Sequence, residues 1–128
     1  MIENTTPKPG VPISSAAERM KARLRADLTT AMKARNAAEV KLLRALVAAI
    51  DNAEAIPASA QPAESGFGFA ATSSEVRRLI LGADEVEQVL RSEIAEREHA
   101  AAELDRVGRP DHAAELRAQA ELARRYLD

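Results

Sequence analysis

The stretch from Ala31 to Glu54 constrains the fold more than any other part of this chain of 128 residues. It contains the end of one predicted helix, a short turn, and a second helix that begins after Asn36, a residue suited to capping a helix N-terminus. Apolar residues then recur at three- and four-residue steps, the period of a helix with one buried face. Because so short a turn leaves both helices side by side, the stretch predicts an antiparallel helical hairpin.

Capping and periodicity signals place four helices along the chain. A capping box that starts at Ser15 opens the first helix, and Gly108, a residue suited to a left-handed helix stop, separates the last two. We therefore predict an all-α fold, a four-helix bundle made of two antiparallel helical hairpins joined by a long loop. The first hairpin comprises residues 16–35 and 37–54, and the second comprises residues 83–107 and 110–127.

Two proline-containing stretches lie outside these helices. Residues 1–14 are rich in proline and poor in apolar side chains, so we expect a flexible N-terminal segment ahead of a single helical domain, residues 15–128. Residues 55–74 are predicted to form the loop between the hairpins. Within this loop, Phe67 and Phe69 are expected to pack against the bundle, with contact to a partner as the alternative.

Composition excludes several classes of protein. Hydrophobic residues make up 46% of the chain, but it contains only two phenylalanines, one tyrosine and no tryptophan, and its many alanines favour helices over strands. The chain has no cysteine, which excludes disulfides and thiolate chemistry. No apolar run approaches the roughly 20 residues that a membrane span requires. We therefore expect a cytoplasmic protein that does not associate with membranes.

Charge is distributed unevenly along the chain, although the net charge is only −2. Residues 1–44 carry nine basic and four acidic side chains, whereas residues 45–128 carry nine basic and sixteen acidic ones. Such asymmetry can reflect attraction between the two hairpins or a surface that binds nucleic acid.

Five basic residues of the first hairpin are candidate contacts to an RNA phosphate backbone, weighed against a plain solvated face. No aromatic side chains are interleaved with them, so we do not expect bases to stack on this surface. The five residues are Arg19, Arg23, Lys33, Lys41 and Arg44.

Glu93 and Arg97 stand apart from the other charged residues of the third helix because they project into its apolar arc. Their spacing of four residues lets the two side chains meet on one helix face. We interpret them as a partly buried structural ion pair that determines how this helix packs. The alternative is an exposed interface or a binding groove.

No arrangement of residues in the sequence points to catalysis. His99 and His112 are the only histidines, and neither has a second ligand at metal-binding spacing, so we expect both on the surface and no metal site. The sequence also lacks a phosphate-binding glycine loop, a nucleophile elbow and a Ser/His/Asp set. We therefore expect no catalytic residues and no cofactor.

Two blocks of residues carry a resemblance to a known family. The first block contains Ala31–Arg35, Leu43–Arg44 and Ala48–Glu54, and the second contains Glu93, Arg97, Gly108–Asp111 and Tyr126–Leu127. In order and spacing these blocks resemble the YqeY-like family (the GatB/YqeY domain), which is related to the tail of the B subunit of tRNA-dependent amidotransferases. The resemblance extends over roughly residues 18–127 and corresponds to the N-terminal four-helix half of the family's fold.

This resemblance implies a non-catalytic helical module that acts through contacts with a protein or with a tRNA complex. One alternative is an accessory part of a glutamine-dependent tRNA amidotransferase, whose carbon–nitrogen ligase activity resides in the full enzyme. Another alternative is a weak RNA-backbone binder. We expect a protein partner, with tRNA as a second candidate, and leave self-association open.

Overall fold

The computed structural model describes residues 15–55 and 79–127, and in these ranges the chain is helical and contains no strand. The predicted all-α class is therefore confirmed. The predicted N-terminal segment, most of the predicted loop, Phe67 and Phe69 lie outside the described residues. The described elements are α1 (Ala16–Lys33), α2 (Ala37–Glu54), α3 (Ala83–Arg106), α4 (Pro110–Ala123) and a 3-10 turn, Arg124–Tyr126.

The turn between α1 and α2 is a Schellman motif, and it ends α1 two residues earlier than predicted. Arg35 adopts a left-handed backbone conformation with φ of 57°, through which a right-handed helix cannot continue. The Arg35 amide donates to the Met32 carbonyl (3.1 Å), and the Asn36 amide donates to the Ala31 carbonyl (3.0 Å). Asn36 then caps α2, because its side chain accepts the amide of Glu39.

The turn between α3 and α4 repeats this motif with glycine at the left-handed position. Gly108 has φ of 80°, and its amide donates to the Asp105 carbonyl at 3.1 Å. The amide of Arg109 donates to the Leu104 carbonyl at 2.8 Å. The two turns therefore share one hydrogen-bond pattern and differ in the residue that takes the left-handed conformation, Arg35 in one and Gly108 in the other.

The helices surround a core of leucine and alanine. Helix α1 packs mainly against α2, and α3 packs mainly against α4, while α2 and α3 each contact all three other helices. Where α3 and α4 meet, buried alanines let the two helix axes approach closely, among them Ala101, Ala113, Ala120 and Ala123. The largest fully buried side chains are Leu24, Leu42, Leu43, Leu46, Ile50 and Leu90.

A mostly buried charge cluster joins the beginning of α1 to the end of α2. Lys21 donates to Asp51 (2.8 Å) and to Glu54 (2.6 Å), and the side chains of Lys21 and Glu54 are only 12% and 8% exposed. Burial alone would lower the pKa of Lys21, but hydrogen bonds and attraction to the two carboxylates raise it above its usual value.

Helix α4 ends at Ala123, four residues earlier than predicted, and the residues that follow it attach the end of the chain to α1. The Tyr126 ring is buried, its hydroxyl donates to Asp27, and the Arg23 guanidinium lies 4.5 Å above the ring centroid. Burial and the hydrogen bond to Asp27 raise the pKa of Tyr126 to about 12. Arg23 also donates to the Arg125 carbonyl at 3.3 Å.

A backbone hydrogen bond joins the end of α2 to the residues that precede α3. The Leu79 amide donates to the Glu54 carbonyl at 2.7 Å, which brings the end of α2 next to the residues that precede α3. None of the helices in the two described ranges has the length and hydropathy needed to cross a membrane.

Candidate functional site

A shallow, open depression with a volume of about 710 Å³ lies at the turn between α1 and α2. It combines apolar and basic side chains, and it contains the turn whose left-handed residue is Arg35. We call it the turn surface and define it by its six lining residues, which are Met32, Arg35, Ala37, Val40, Lys41 and Arg44.

The apolar part of the turn surface is open to solvent. Met32 is 49% exposed, which makes it one of the few large hydrophobic side chains exposed in the described part of the chain. Val40 is partly buried against the core, and Ala37 is exposed in the first turn of α2. Methionine adapts its shape readily to a partner, so an exposed methionine beside a valine forms a deformable apolar floor.

The basic side chains of the turn surface have no anionic partner among the described residues. Arg35, Lys41 and Arg44 are exposed, as is Lys33 beside them, and none of these four side chains makes an ion pair or hydrogen bond with the described residues. By contrast, most arginines of the second half pair with carboxylates, namely Arg91, Arg97, Arg106, Arg117, Arg124 and Arg125. The turn surface is therefore a site of uncompensated positive charge.

The structure divides the five predicted RNA-contacting cations between two surfaces. Lys41 and Arg44 line the turn surface, and Lys33 lies next to Met32 at the end of α1. Arg19 and Arg23 instead line a separate groove of about 330 Å³ between α1, α3 and the end of the chain. The five cations thus do not belong to one binding surface.

The second groove is built around side chains that already have partners. Arg23 is held by the Tyr126 ring and by a backbone carbonyl, and Glu87 forms an ion pair with Arg91 at 2.6 Å. The groove is otherwise lined mainly by apolar side chains, among them Met20, Val86, Leu90 and Leu127. Since Arg23 contributes to the packing of the fold and Glu87 is already paired, the turn surface is the stronger candidate for binding.

The structure brings Glu93 and Arg97 together at 2.9 Å, with side chains that are 21% and 14% exposed. Arg97 also donates to the Glu93 carbonyl (3.0 Å) and to the side-chain oxygen of Gln119 on α4 (3.1 Å). This cluster joins α3 to α4. Gln119 shares a face of α4 with the buried Ala123, four residues on, so the apolar period of α4 indicates that Gln119 points inward.

The remaining titratable residues give no sign of a reactive centre in the described part of the chain. His99 and His112 are both exposed, as predicted. Residues 15–55 and 79–127 contain no group of three His, Cys, Asp or Glu side chains that could hold a metal ion. The raised pKa values of Lys21 and Tyr126 have structural causes in ion pairing and burial.

Charge pattern does not single out Arg35, and helical period places Met32 on the apolar face of α1, although its side chain is 49% exposed. A different signal points to Arg35. Many helices end on a left-handed residue, and once Asn36 is assigned as the cap of α2, such a residue would lie just before it. Residues 33–36 contain no glycine, so a left-handed residue at this point would carry a side chain.

Comparisons of the chain with protein-family models, with curated proteins and with solved structures find no match.

Proposed function

We propose that this chain is a non-catalytic helical module that binds a protein or a tRNA complex through the turn surface, in the manner suggested by its resemblance to the amidotransferase B-subunit tail. One observation in particular supports this proposal. Arg35, Lys41 and Arg44 line one surface with the exposed Met32 and have no anionic partner among the described residues, while the arginines of α3 and α4 are largely paired. A basic surface that also exposes apolar side chains favours an anionic partner that has apolar groups of its own.

The scaffold behind this surface supports the same function. We propose that α1 with α2 and α3 with α4 form two antiparallel hairpins that pack into one four-helix bundle. The buried charges hold this arrangement together, since Lys21 joins the first two helices and Arg97 joins the last two. Such a bundle presents its turn on rigid elements, which lowers the entropy lost on binding.

An accessory role in a glutamine-dependent tRNA amidotransferase is the second candidate. The observation that favours it is the position of the resemblance, because Ala31–Arg35 and Leu43–Arg44 include four of the residues in or beside the turn surface. Weak binding to an RNA backbone is the third candidate and would use the same cations.

Affinity capture from cell extract, with and without ribonuclease, tests the proposed function. The variant Lys41→Glu/Arg44→Glu reverses two cations of the turn surface, and Arg25→Glu/Arg109→Glu reverses two exposed cations elsewhere that likewise have no described partner. We expect the unmodified chain and the control to retain one set of partners, and the turn-surface variant to lose it. Equal capture by all three proteins would contradict the proposal.

Two further measurements separate the candidates. If tRNA is the partner, ribonuclease abolishes capture, and retention of the purified chain on tRNA falls steeply with salt. If a protein is the partner, capture survives ribonuclease. Amidation of mischarged tRNA by the purified chain alone would overturn the non-catalytic assignment.

A further inference from the structure

Arg35 holds a backbone conformation that glycine adopts at lower free energy. Its φ of 57° lies in the left-handed region, where the Cβ atom of an L-residue is crowded. Gly108 occupies the equivalent position in the turn between α3 and α4, which has the same hydrogen-bond pattern, so glycine suits a turn of this kind. Strained backbone of this kind is concentrated at functional sites.

The side chain of Arg35 does not explain this conformation through contacts within the described fold. It is exposed and makes no ion pair or hydrogen bond with the described residues. It does line the turn surface beside Met32. The use of an arginine at this position is therefore best explained by a contact outside the fold itself.

The spacing of the other lining residues indicates the shape of the ligand. Ala37, Val40, Lys41 and Arg44 lie at steps of three and four along α2, so they form one stripe over its first two turns, about 10 Å long. Met32, in the last turn of α1, and Arg35, in the turn itself, line the same surface. A surface of this length that exposes both apolar and basic side chains matches two turns of an amphipathic helix.

The side chains of the turn surface favour a protein partner over a nucleic acid. A phosphate backbone gains from the cations but gains nothing from Met32 and Val40. None of the six lining residues is aromatic, so bases have no ring on which to stack. An α-helix with an apolar stripe flanked by aspartate and glutamate can contact both the apolar and the basic side chains of this surface.

We propose that the turn surface binds an acidic amphipathic helix of a partner protein, and that Arg35 is held in its left-handed conformation for this contact. The apolar stripe of the partner helix lies on Met32 and Val40, and its carboxylates meet Arg35, Lys41 and Arg44. This assignment rests on the function proposed above, since it names the partner class of the same surface.

Nuclear magnetic resonance titration of the full chain with synthetic probes tests the assignment. The probe is a peptide of glutamate, leucine and alanine, about 18 residues long so that it forms a helix on its own, with leucines at steps of three and four. A peptide of the same composition in scrambled order and an oligouridine of about 20 nucleotides serve as comparisons. We expect shifts confined to residues 31–47 and an affinity at least about tenfold higher than for the scrambled peptide.

Variants at position 35 provide a second and sharper test. We expect Arg35→Gly to raise the unfolding midpoint and yet weaken binding of the acidic peptide by about fivefold, whereas Arg35→Lys keeps most of the affinity. A purely structural residue would not combine a more stable fold with weaker binding. Unchanged peptide affinity in Arg35→Gly would overturn the role of Arg35.

The outcomes of these tests distinguish this inference from the proposed function. Equal affinity for the two peptides, shifts outside the turn surface, or tighter binding of oligouridine than of the acidic peptide would overturn the assignment of an acidic helix. In each of these cases, capture that still depends on Lys41 and Arg44 would leave the docking function standing. Capture that does not depend on them would remove both.

Discussion

Two ion pairs with identical spacing on α3 differ in their surroundings. Glu93 and Arg97 are 21% and 14% exposed, and Arg97 also donates to the side chain of Gln119, whereas Glu87 and Arg91 are 43% and 56% exposed. An exposed pair gains little, because water screens the attraction and the side chains lose rotamer freedom. Breaking a buried pair is costly because it leaves a charge without a partner.

Replacing Arg97 therefore has a larger effect than replacing Arg91. We expect Arg97→Ala to lower the free energy of unfolding by about 2–3 kcal/mol, since it leaves Glu93 and Gln119 without their shared donor. The matched variant Arg91→Ala should lower it by less than about 1 kcal/mol. Urea unfolding followed by circular dichroism measures both values, and equal losses would show that the burial of Arg97 contributes nothing.

At the scale of the elements, the two helix turns have the same hydrogen bonds with different residues at their centres. The left-handed position suits glycine because it has no Cβ atom. Gly108 meets this requirement, and no atom lies within 4 Å of where its Cβ would be, so backbone conformation rather than crowding by neighbours favours glycine. Arg35 does not meet it and carries the corresponding strain.

Exchanging the residue types at the turns should change stability in opposite directions. We expect Arg35→Gly to raise the free energy of unfolding by about 0.5–1 kcal/mol through relief of the left-handed conformation. Gly108→Ala should lower it by about 1 kcal/mol for the same reason. Chemical denaturation of both variants checks the pair, and a destabilised Arg35→Gly variant would mean that the Arg35 side chain stabilises the fold.

Helix starts could be predicted from the sequence because their signals are local. Ser15 and Asn36 cap α1 and α2 with side chains only three residues from their partners. The end of α1 was predicted wrongly, because a left-handed arginine is not a pattern that local propensity favours. Contacts such as that between Tyr126 and Asp27 join residues far apart in sequence, so the local sequence pattern does not contain them.

The candidate site was predicted only in part. Charge selected Lys41 and Arg44, which line the turn surface, and Lys33 beside it, but it also selected Arg19 and Arg23, which line a different groove. The sequence shows which residues are basic, but it does not show which carboxylates they contact. Which cations remain unpaired depends on how the helices pack, and this information comes from the three-dimensional structure.

At the scale of the whole molecule, Tyr126 connects the end of the chain to its first helix. It is the only tyrosine, and the chain has no tryptophan, so the near-ultraviolet absorbance of tyrosinate reports on this residue alone. The buried ring prefers the neutral phenol, and the pKa of about 12 exceeds the value of about 10 in unfolded chains. The fold therefore gains stability from Tyr126 below pH 10 and loses it as the pH rises toward 12.

Alkaline titration followed by tyrosinate absorbance should show this difference directly. We expect ionisation near pH 12 in the native protein and near pH 10 in concentrated urea, with about 1–2 kcal/mol of stability lost between these values. Lys21 acts in the same direction, since its raised pKa contributes stability that is lost at alkaline pH. Native ionisation near pH 10 would mean that the ring is accessible to solvent.

Leu46 provides a test of whether the described helices unfold as one unit. It is fully buried on α2, which contacts the three other helices. We expect Leu46→Ala to lower the free energy of unfolding by about 3 kcal/mol through the cavity that it leaves. Helix loss by circular dichroism and exposure of Tyr126 should follow the same denaturation curve. Two separated transitions would show that the halves unfold independently.

The hydrogen bond from Leu79 to Glu54 also bears on how this fold can change over evolution. This hydrogen bond keeps Glu54 and Leu79 next to each other, so even a short connection could join α2 to the residues before α3. Chain closure between such neighbouring points becomes harder only slowly with length, by about 0.6 kcal/mol for each doubling. Insertions and deletions between the second and third helices are therefore the sequence changes that this architecture should tolerate best.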